Sequence, residues 1–283
     1  MVGIHRSHCK GTPGYNQPVT FAEPGAALED IAAHAAQALQ NAQPDGYTFG
    51  FSAISPLVLS PHLGKLPYDP LKDIVPVASV MYSPVLLLAT SATDVKDMPA
   101  LLAAVKAKPG SVRWATSGSA SLGHLVLEQL KASAKVDITH IPYKGGGQQI
   151  SDALGGQFEV LSVNTSPVIG QHIKSGKLRP LAVGAPSRLE AFPNIPTMAE
   201  LGYAPANLVS LFGLFAPAGV PPAVLTRMNA EINKALAAPD LRARLVGSDN
   251  VPTGGTAAEF ARQIALESDS SGRIIKAAGI KAE

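Results

Sequence analysis

The sequence predicts an α/β fold of two lobes, each a mostly parallel sheet flanked by helices. Short apolar runs alternate with longer segments of helical periodicity along the chain, which is the pattern of strands joined by crossover helices. The 26 glycines and 24 prolines among 283 residues supply the turns that such connections need. Hydrophobic residues make up 46% of the chain, which is enough for a substantial core.

The first part of the chain is predicted to contain one helix and four strands. The helix is expected at residues 28–39, and the strands at 19–22, 47–51, 74–82 and 84–90. The run at 84–90 is so rich in Leu and Val that we expect it to be buried on both faces.

The remaining elements alternate regularly. Strands are expected at 112–115, 139–142, 158–163, 181–183 and 210–215, and helices at 99–106, 123–132, 148–154, 168–175, 221–237 and 257–278. Asp97 is expected to cap the helix that follows it, and Pro222 occupies an early helical position. If the chain crosses between lobes at 86–88 and 211–215, residues 1–94 and 211–283 form the first lobe and residues 95–210 form the second.

Composition excludes several classes of protein. With 16% charged residues and a net charge of +2, the chain lacks the dense cationic face of a nucleic-acid-binding protein. Its single cysteine, Cys9, rules out an intrachain disulfide, and its seven histidines lack metal-ligand spacing, so no metal site and no cofactor are predicted. No apolar window suits a membrane span. Because the first 20 residues lack the apolar core of a secretory signal, either the chain is cytoplasmic as written or an export signal has been lost or removed.

Two polar turns are the most informative local feature. Each follows a predicted strand and opens a predicted helix, where unpaired backbone N–H groups and the helix dipole favour an anion. Neighbouring turns of this kind can face one crevice at the carboxyl ends of parallel strands. We therefore predict a site for a small carboxylate, with ligand contacts from Thr116, Ser117, Gly118 and Ser121 in the first turn and from Tyr143, Lys144, Gly145 and Gly146 in the second.

Other polar residues at strand ends are weaker candidates. Ser52 and Ser55 follow the strand at 47–51 and either donate to a ligand carboxylate or act as a capping serine and a turn serine. Asn164 and Thr165 end the strand at 158–163 and are further candidate ligand contacts. The competing interpretation of the first turn is an ordinary N-cap by Ser119 or Ser121, and Lys144 either reaches the anion or is simply solvated.

No catalytic residue is predicted. The sequence has no Gly-x-Ser-x-Gly elbow and no paired acidic motif. A triad of Ser117, His140 and Asp137 is disfavoured because nothing in the sequence orients His140, which sits in a strand-like run. The chain is expected to bind its ligand and not to transform it.

Several segments, taken in order, resemble the periplasmic solute-binding receptors of tripartite tricarboxylate transporters, the Bug-type, TctC-like family. They read Pro-Asp-Gly-Tyr-Thr at 44–48, Leu-Pro-Tyr-Asp-Pro at 66–70, Thr-Ser-Gly at 116–118, His-Ile-Pro-Tyr-Lys-Gly at 140–145 and Leu-Gly-Gly-Gln at 154–157, followed by the segments 172–183, 193–202, 213–219 and 225–229. No single segment is specific, and their shared order over residues 44–283 carries the resemblance.

The resemblance implies a two-lobed, type II periplasmic-binding-protein fold that closes on a small organic carboxylate. Such a receptor is a periplasmic monomer that passes its ligand to membrane transporter subunits. It holds the ligand between its lobes with backbone amides, hydroxyls and ordered waters. Because Val163 precedes Asn164 where the family often has Asp, an acceptor for an amino group is missing and a plain carboxylic acid is favoured.

The amino-terminal region departs from the family pattern. Residues 24–30 resemble a degraded form of the family's first ligand loop, or alternatively residues 24–26 are the later loop. On either interpretation about one βα unit of the first lobe is missing. Two rival functions therefore stand beside the receptor: an intracellular or orphan carboxylate sensor without a transport role, and an enzyme on the same scaffold.

Overall fold

The computed structural model describes residues 3–6, 38–66 and 68–281. The strand predicted at 19–22, most of the helix predicted at 28–39 and the loop at 24–30 lie outside the described residues. The chain packs into two compact units: residues 1–82, 211–245 and 252–272 form unit 1, and residues 83–210, 246–251 and 273–283 form unit 2.

The elements alternate as the sequence predicts. The strands are β1 Gly3–Arg6, β2 Thr48–Ala53, β3 Ile74–Ala89, β4 Arg113–Thr116, β5 Thr139–Pro142, β6 Val160–Asn164, β7 Arg179–Gly184, β8 Val209–Pro217 and β9 Val251–Pro252. The helices are α1 Ser55–Val58, α2 Met98–Ala107, α3 Leu122–Ala134, α4 Gly146–Leu154, α5 Pro167–Lys174, α6 Pro222–Ala237, α7 Pro239–Gly247 and α8 Ala257–Ala278. The α/β class is confirmed.

Two differences from the predicted elements have local causes. The strands predicted at 74–82 and 84–90 form a single strand, β3, which runs through Pro84. Proline lacks an N–H donor, but the Pro84 carbonyl still accepts from Thr165 N–H at 3.0 Å, so the ladder continues. Helix α7 was not predicted because it contributes no buried residue, and its sequence therefore carries no apolar face to detect.

Unit 1 is built on strands that run antiparallel. β1 pairs antiparallel with β2, and β2 pairs antiparallel with β8, where the sequence analysis expected mostly parallel pairing. Strand–helix alternation predicts direction only for strands joined by a crossover, and β2 and β8 are distant in sequence. Helix α6 is fixed to the sheet by Asn229, whose Nδ2 donates to Val77 O at 2.9 Å and to Gly255 O at 3.0 Å.

Unit 2 contains a mixed five-stranded sheet in the order β7-β3-β6-β4-β5. β4 is parallel to both β5 and β6, whereas β3 is antiparallel to β6 and β7. Leu87 and Trp114 pack against α2 and α3, and Leu86 and Leu161 pack against α4 and α5. The expected burial of the 84–90 run on both faces is confirmed, since the successive residues Leu86 and Leu87, which lie on opposite faces, are 0% and 2% exposed. Within the described ranges, no helix combines the length and apolarity needed to cross a bilayer.

Candidate functional site

The sheet of unit 2 brings three strand ends to one edge. β4 and β5 run parallel in register, with Thr116 opposite Pro142, and β6 lies parallel on the other side of β4. The segments that follow these strands therefore start side by side. Unit 2 in this way gathers most of the predicted ligand contacts: Thr116, Ser117, Gly118, Ser121, Tyr143, Lys144, Gly145, Gly146, Asn164 and Thr165.

The two predicted turns are hydrogen-bonded to each other. Tyr143 N–H donates to Thr116 O at 3.0 Å, and Gly145 N–H donates to Ser117 O at 2.8 Å. We call residues 116–121 and 143–146 the joined turns. The Thr116 hydroxyl also donates to Gly118 O at 2.9 Å. Three successive carbonyl oxygens of the first turn are thus engaged by donors of the protein, which reduces their repulsion of an incoming anion.

The start of helix α4 is the most open anion-binding feature in the joined turns. Its N-cap, Gly145, has φ 104° and ψ 164° and supplies no side-chain cap. A Cβ atom added at Gly146 or Gly147 would meet nothing within 4 Å. The first two residues of α4 therefore leave room beside the positive end of the helix dipole, where an anion is favoured. Lys144, beside it, is exposed.

The start of helix α3 is different because Ser121 caps it. The Ser121 hydroxyl accepts from His124 N–H at 3.3 Å, and the residue is only 2% exposed. The side chain of Ser121 is therefore an N-cap, in agreement with the competing interpretation. Ser117 and Gly118 in the same turn are half-buried and reach the surface.

Truncation of Ser121 and of Ser117, both in this turn, is expected to change the stability of the protein by different amounts. Ser121→Ala removes the cap and should lower the free energy of unfolding by about 1 kcal/mol. Ser117→Ala removes a hydroxyl that makes no hydrogen bond within the described part of the chain, and should change the free energy of unfolding by less than about 0.5 kcal/mol. Urea denaturation followed by circular dichroism measures both. Equal losses in the two variants would show that Ser121 is not a structural cap.

Asn164 and Thr165 direct their donors to the protein itself. Asn164 Nδ2 donates to Ser83 O at 3.2 Å and to Ser210 Oγ at 2.9 Å, which uses both amide hydrogens and leaves Oδ1 as an acceptor. The Thr165 hydroxyl donates to Asp249 O at 2.9 Å. Neither side chain can donate to a ligand carboxylate unless one of these bonds breaks.

Ser52 and Ser55 lie in unit 1. Helix α1 starts after Ile54 and has no side-chain cap, so the expected alternative of a capping serine is wrong. Ser52 Oγ is buried without a hydrogen-bond partner among the residues that the structure describes. It borders a cavity of about 20 Å³ that is lined by Leu39, Gly50, Phe51, Ala53, Pro56, Leu57, Ile74 and Phe215. Such a volume accommodates about one water molecule, which would satisfy the hydroxyl.

The imagined catalytic triad is not assembled. His140 Nε2 lies 2.7 Å from Thr116 Oγ1, not on Ser117, and its ring stacks on His124 with the centroids 3.8 Å apart. Because the single hydroxyl hydrogen of Thr116 goes to Gly118 O, His140 Nε2–H is the donor to Thr116, so this nitrogen is not a base. Across the residues that the structure describes, no three His, Cys, Asp or Glu side chains cluster as metal ligands.

Three polar side chains that were not predicted as site residues support the joined turns: Asp152, Gln149 and His124. Asp152 Oδ2 accepts from the hydroxyl of Tyr143, a predicted ligand contact, at 2.8 Å, and burial together with this bond raises the pKa of Tyr143 to about 12. Gln149 Nε2 bridges Ala115 O and Ser162 O at 2.9 and 3.0 Å. His124 Nδ1 accepts from Ala120 N–H at 3.0 Å. Each partner is distant in sequence or a backbone atom, so no local motif signals these bonds.

Comparisons with known proteins agree on one family. The model of the tripartite tricarboxylate transporter family receptor matches residues 16–280. BugT of Bordetella pertussis is 38% identical over 194 residues, which are 68% of this chain and 59% of BugT. The chain thus spans less than two thirds of the length of that relative.

Solved structures extend the likeness to the fold. Rpa4515 of R. palustris, solved with adipate, has a TM-score of 0.80 at 28% identity over 89% of this chain and 84% of its own. MatC of Rhodopseudomonas palustris, solved with bound malate, has a TM-score of 0.73 at 26% identity over 89% and 85%. These likenesses confirm the two-lobed α/β fold predicted from the sequence.

Proposed function

Since this chain belongs to the tripartite tricarboxylate transporter receptor family, we propose that it captures a small organic carboxylate and presents it to a membrane transporter. The observation that carries the proposal is the open, glycine-capped start of α4 within the joined turns. Backbone amides at a helix start bind a carboxylate without a charged side chain. Thr116, Ser117, Gly118 and Lys144 are the neighbouring groups that complete this half of the site.

The likeness to solved structures favours a dicarboxylate or a similar acid. The similar proteins Rpa4515 and MatC were solved with adipate and malate. A charge-assisted hydrogen bond contributes about 1.5–3 kcal/mol net. Three or four of them, less the cost of ordering, correspond to roughly micromolar affinity. Because Val163 occupies the position where the family often has an Asp that accepts from an amino group, a plain carboxylic acid is preferred to an amino acid.

Periplasmic location, delivery to transporter subunits, a monomeric state and binding without turnover are parts of the same proposal. They are supported by membership of a receptor family. The contributions of Ser52 and Ser55 from unit 1 are proposed as well, since Ser52 Oγ, which has no partner within the described part of the chain, can bond a ligand or a water.

A carboxylate at 100 times its dissociation constant is expected to stabilise the protein by about 2.7 kcal/mol, because ligand binds only the folded state. Differential scanning fluorimetry with adipate, malate and aromatic acids measures this as a rise of several degrees in Tm, with adipamide as the uncharged control for adipate. A folded protein whose Tm moves with no carboxylate, or moves equally with adipamide, would contradict the proposal.

Recovery of the bound acid separates the rival functions. Chromatography of ligand after incubation should return it unchanged, whereas conversion would indicate an enzyme on the same scaffold. Ligand uptake by cells that carry a tripartite tricarboxylate transporter should depend on the added protein. Binding without any effect on uptake would favour the sensor.

A further inference from the structure

Two histidines contact the first of the joined turns. His124 belongs to α3 and is 9% exposed, and His140 belongs to β5 and is half-buried. Their rings stack with centroids 3.8 Å apart and an interplanar angle of 21°. A close stack of two ionisable rings inside a folded unit favours their neutral forms, since two imidazolium ions at this distance repel each other.

Each ring makes a hydrogen bond to the first of the joined turns. His140 Nε2 lies 2.7 Å from Thr116 Oγ1, whose hydroxyl in turn holds Gly118 O. His124 Nδ1 accepts from Ala120 N–H at 3.0 Å. Ala120 has φ +59°, a left-handed conformation that disfavours any residue with a side chain. The bond to His124 offsets that strain at the residue between the ligand-facing part of the turn and the cap of α3.

The two bonds differ in how they depend on protonation. Ala120 N–H requires a bare Nδ1 on His124, whereas the Nε2–H that His140 donates to Thr116 is present in both the neutral and the protonated ring. A proton on His124 Nδ1 would face the Ala120 N–H and break the contact. Two charged groups of α3 lie near the pair: Glu128, whose Oε1 is 3.8 Å from His124 Nε2, and Lys131, whose ammonium bonds Glu128 at 2.8 Å.

We propose that His124 and His140 are positioning residues for the carboxylate: as a stacked pair, each hydrogen-bonded to the first turn, they fix residues 116–120 in the conformation that binds it. The inference rests on the proposed function, because it concerns how the same joined turns are kept ready for an anion. It adds two residues that touch the turn and not the ligand.

The titration of His140 makes the stability of the folded protein depend on pH. Burial, with repulsion from His124 and Lys131, lowers the pKa of His140 from 6.5 to about 4. The unfolded chain therefore takes up this proton near pH 6.5 and the folded protein only near pH 4. The contribution of His140 to stability is complete above pH 6.5 and declines as the pH falls toward 4. A His140→Gln variant should lose this part of the pH dependence.

Matched variants test the positioning role. His124→Phe keeps the ring but removes the acceptor for Ala120 N–H, and should weaken binding of adipate or malate, whichever binds, by about tenfold. His124→Asn places an amide oxygen near the position of Nδ1 and should bind within about threefold of the wild type. Calorimetry measures both. If both variants bound the acid as tightly as the wild type, the inference would be overturned and the proposed function would still stand.

Two further measurements keep the test independent of any single variant. The free energy of unfolding of the wild type should fall more steeply between pH 6.5 and pH 4.5 than that of His140→Gln, because only the wild type has a histidine at position 140, whose pKa is lowered from 6.5 to about 4 on folding. Amide hydrogen exchange needs no ligand: the Ala120 amide should exchange about tenfold faster in His124→Phe than in the wild type. Parallel pH profiles of stability would contradict a buried, uncharged His140 beside Thr116, and unchanged exchange at Ala120 would contradict a positioning role.

Discussion

Gly146→Asp is expected to abolish carboxylate binding while the protein stays folded. Gly146 is the first residue of α4, and a Cβ there meets nothing within 4 Å, so the new side chain fits. Its charge, however, lies where the ligand carboxylate is proposed to lie. Two like charges about 5 Å apart at an effective dielectric constant near 20 repel by about 3 kcal/mol, or roughly 100-fold in affinity.

The same substitution should leave the free energy of unfolding unchanged or slightly raised. Aspartate in a first helical turn interacts favourably with the helix dipole, and glycine is a poor helix former. Gly146→Asn, which has nearly the same shape and no charge, is the matched control and should bind within several-fold of the wild type. Calorimetry with adipate and urea denaturation measure the two quantities. If the Asp and Asn variants bind alike, the anion does not lie at the start of α4.

Trp114→Ala is expected to produce the largest loss of stability. Trp114 is 0% exposed in the core between the sheet of unit 2 and helices α2 and α3. Its Nε1–H donates to Ser162 Oγ at 3.0 Å, which ties β4 to β6. Truncating a buried Trp to Ala costs about 3–5 kcal/mol. Because Trp114 lies two residues before Thr116, the joined turns should lose their register as well.

Trp114→Phe separates packing from hydrogen bonding. It keeps an aromatic ring in the core and removes only the donor to Ser162, so the loss should be smaller, about 1–2 kcal/mol. Far-ultraviolet circular dichroism is the suitable probe of urea unfolding, because Trp114 is the only tryptophan of the chain and its fluorescence disappears in both variants. A loss below about 1 kcal/mol for the alanine variant would contradict the structural role.

The local part of the fold could be predicted because its signals are local. Asp97 caps α2 as expected, with Asp97 Oδ1 accepting from Ala100 N–H at 2.8 Å, and Pro222 begins α6. The polar, glycine-containing turns at 116–121 and 143–146, each between a strand-like and a helix-like run, predict the starts of α3 and α4. Their proximity also followed from the sequence, since the ends of successive parallel strands meet at one edge of a sheet.

The side-chain partners within the site could not be predicted in the same way. Ser121 caps a helix, Asn164 bonds the backbone of Ser83 and the hydroxyl of Ser210, and His124 stacks on His140. Which of two plausible partners a hydroxyl or an amide takes depends on distances between elements. The sequence therefore predicts which polar residues lie in the two turns and leaves the partner of each side chain open.

The sequence by itself determined the alternation of strands and helices, the helix caps and the edge at which an anion is proposed to bind, because periodicity and capping act within a few residues along the chain. Only the tertiary structure decided the antiparallel course of β2 and β8, the passage of β3 through Pro84 and the histidine pair behind the first turn. Strand direction and ring stacking join residues that are far apart in sequence, and packing of the whole unit selects them.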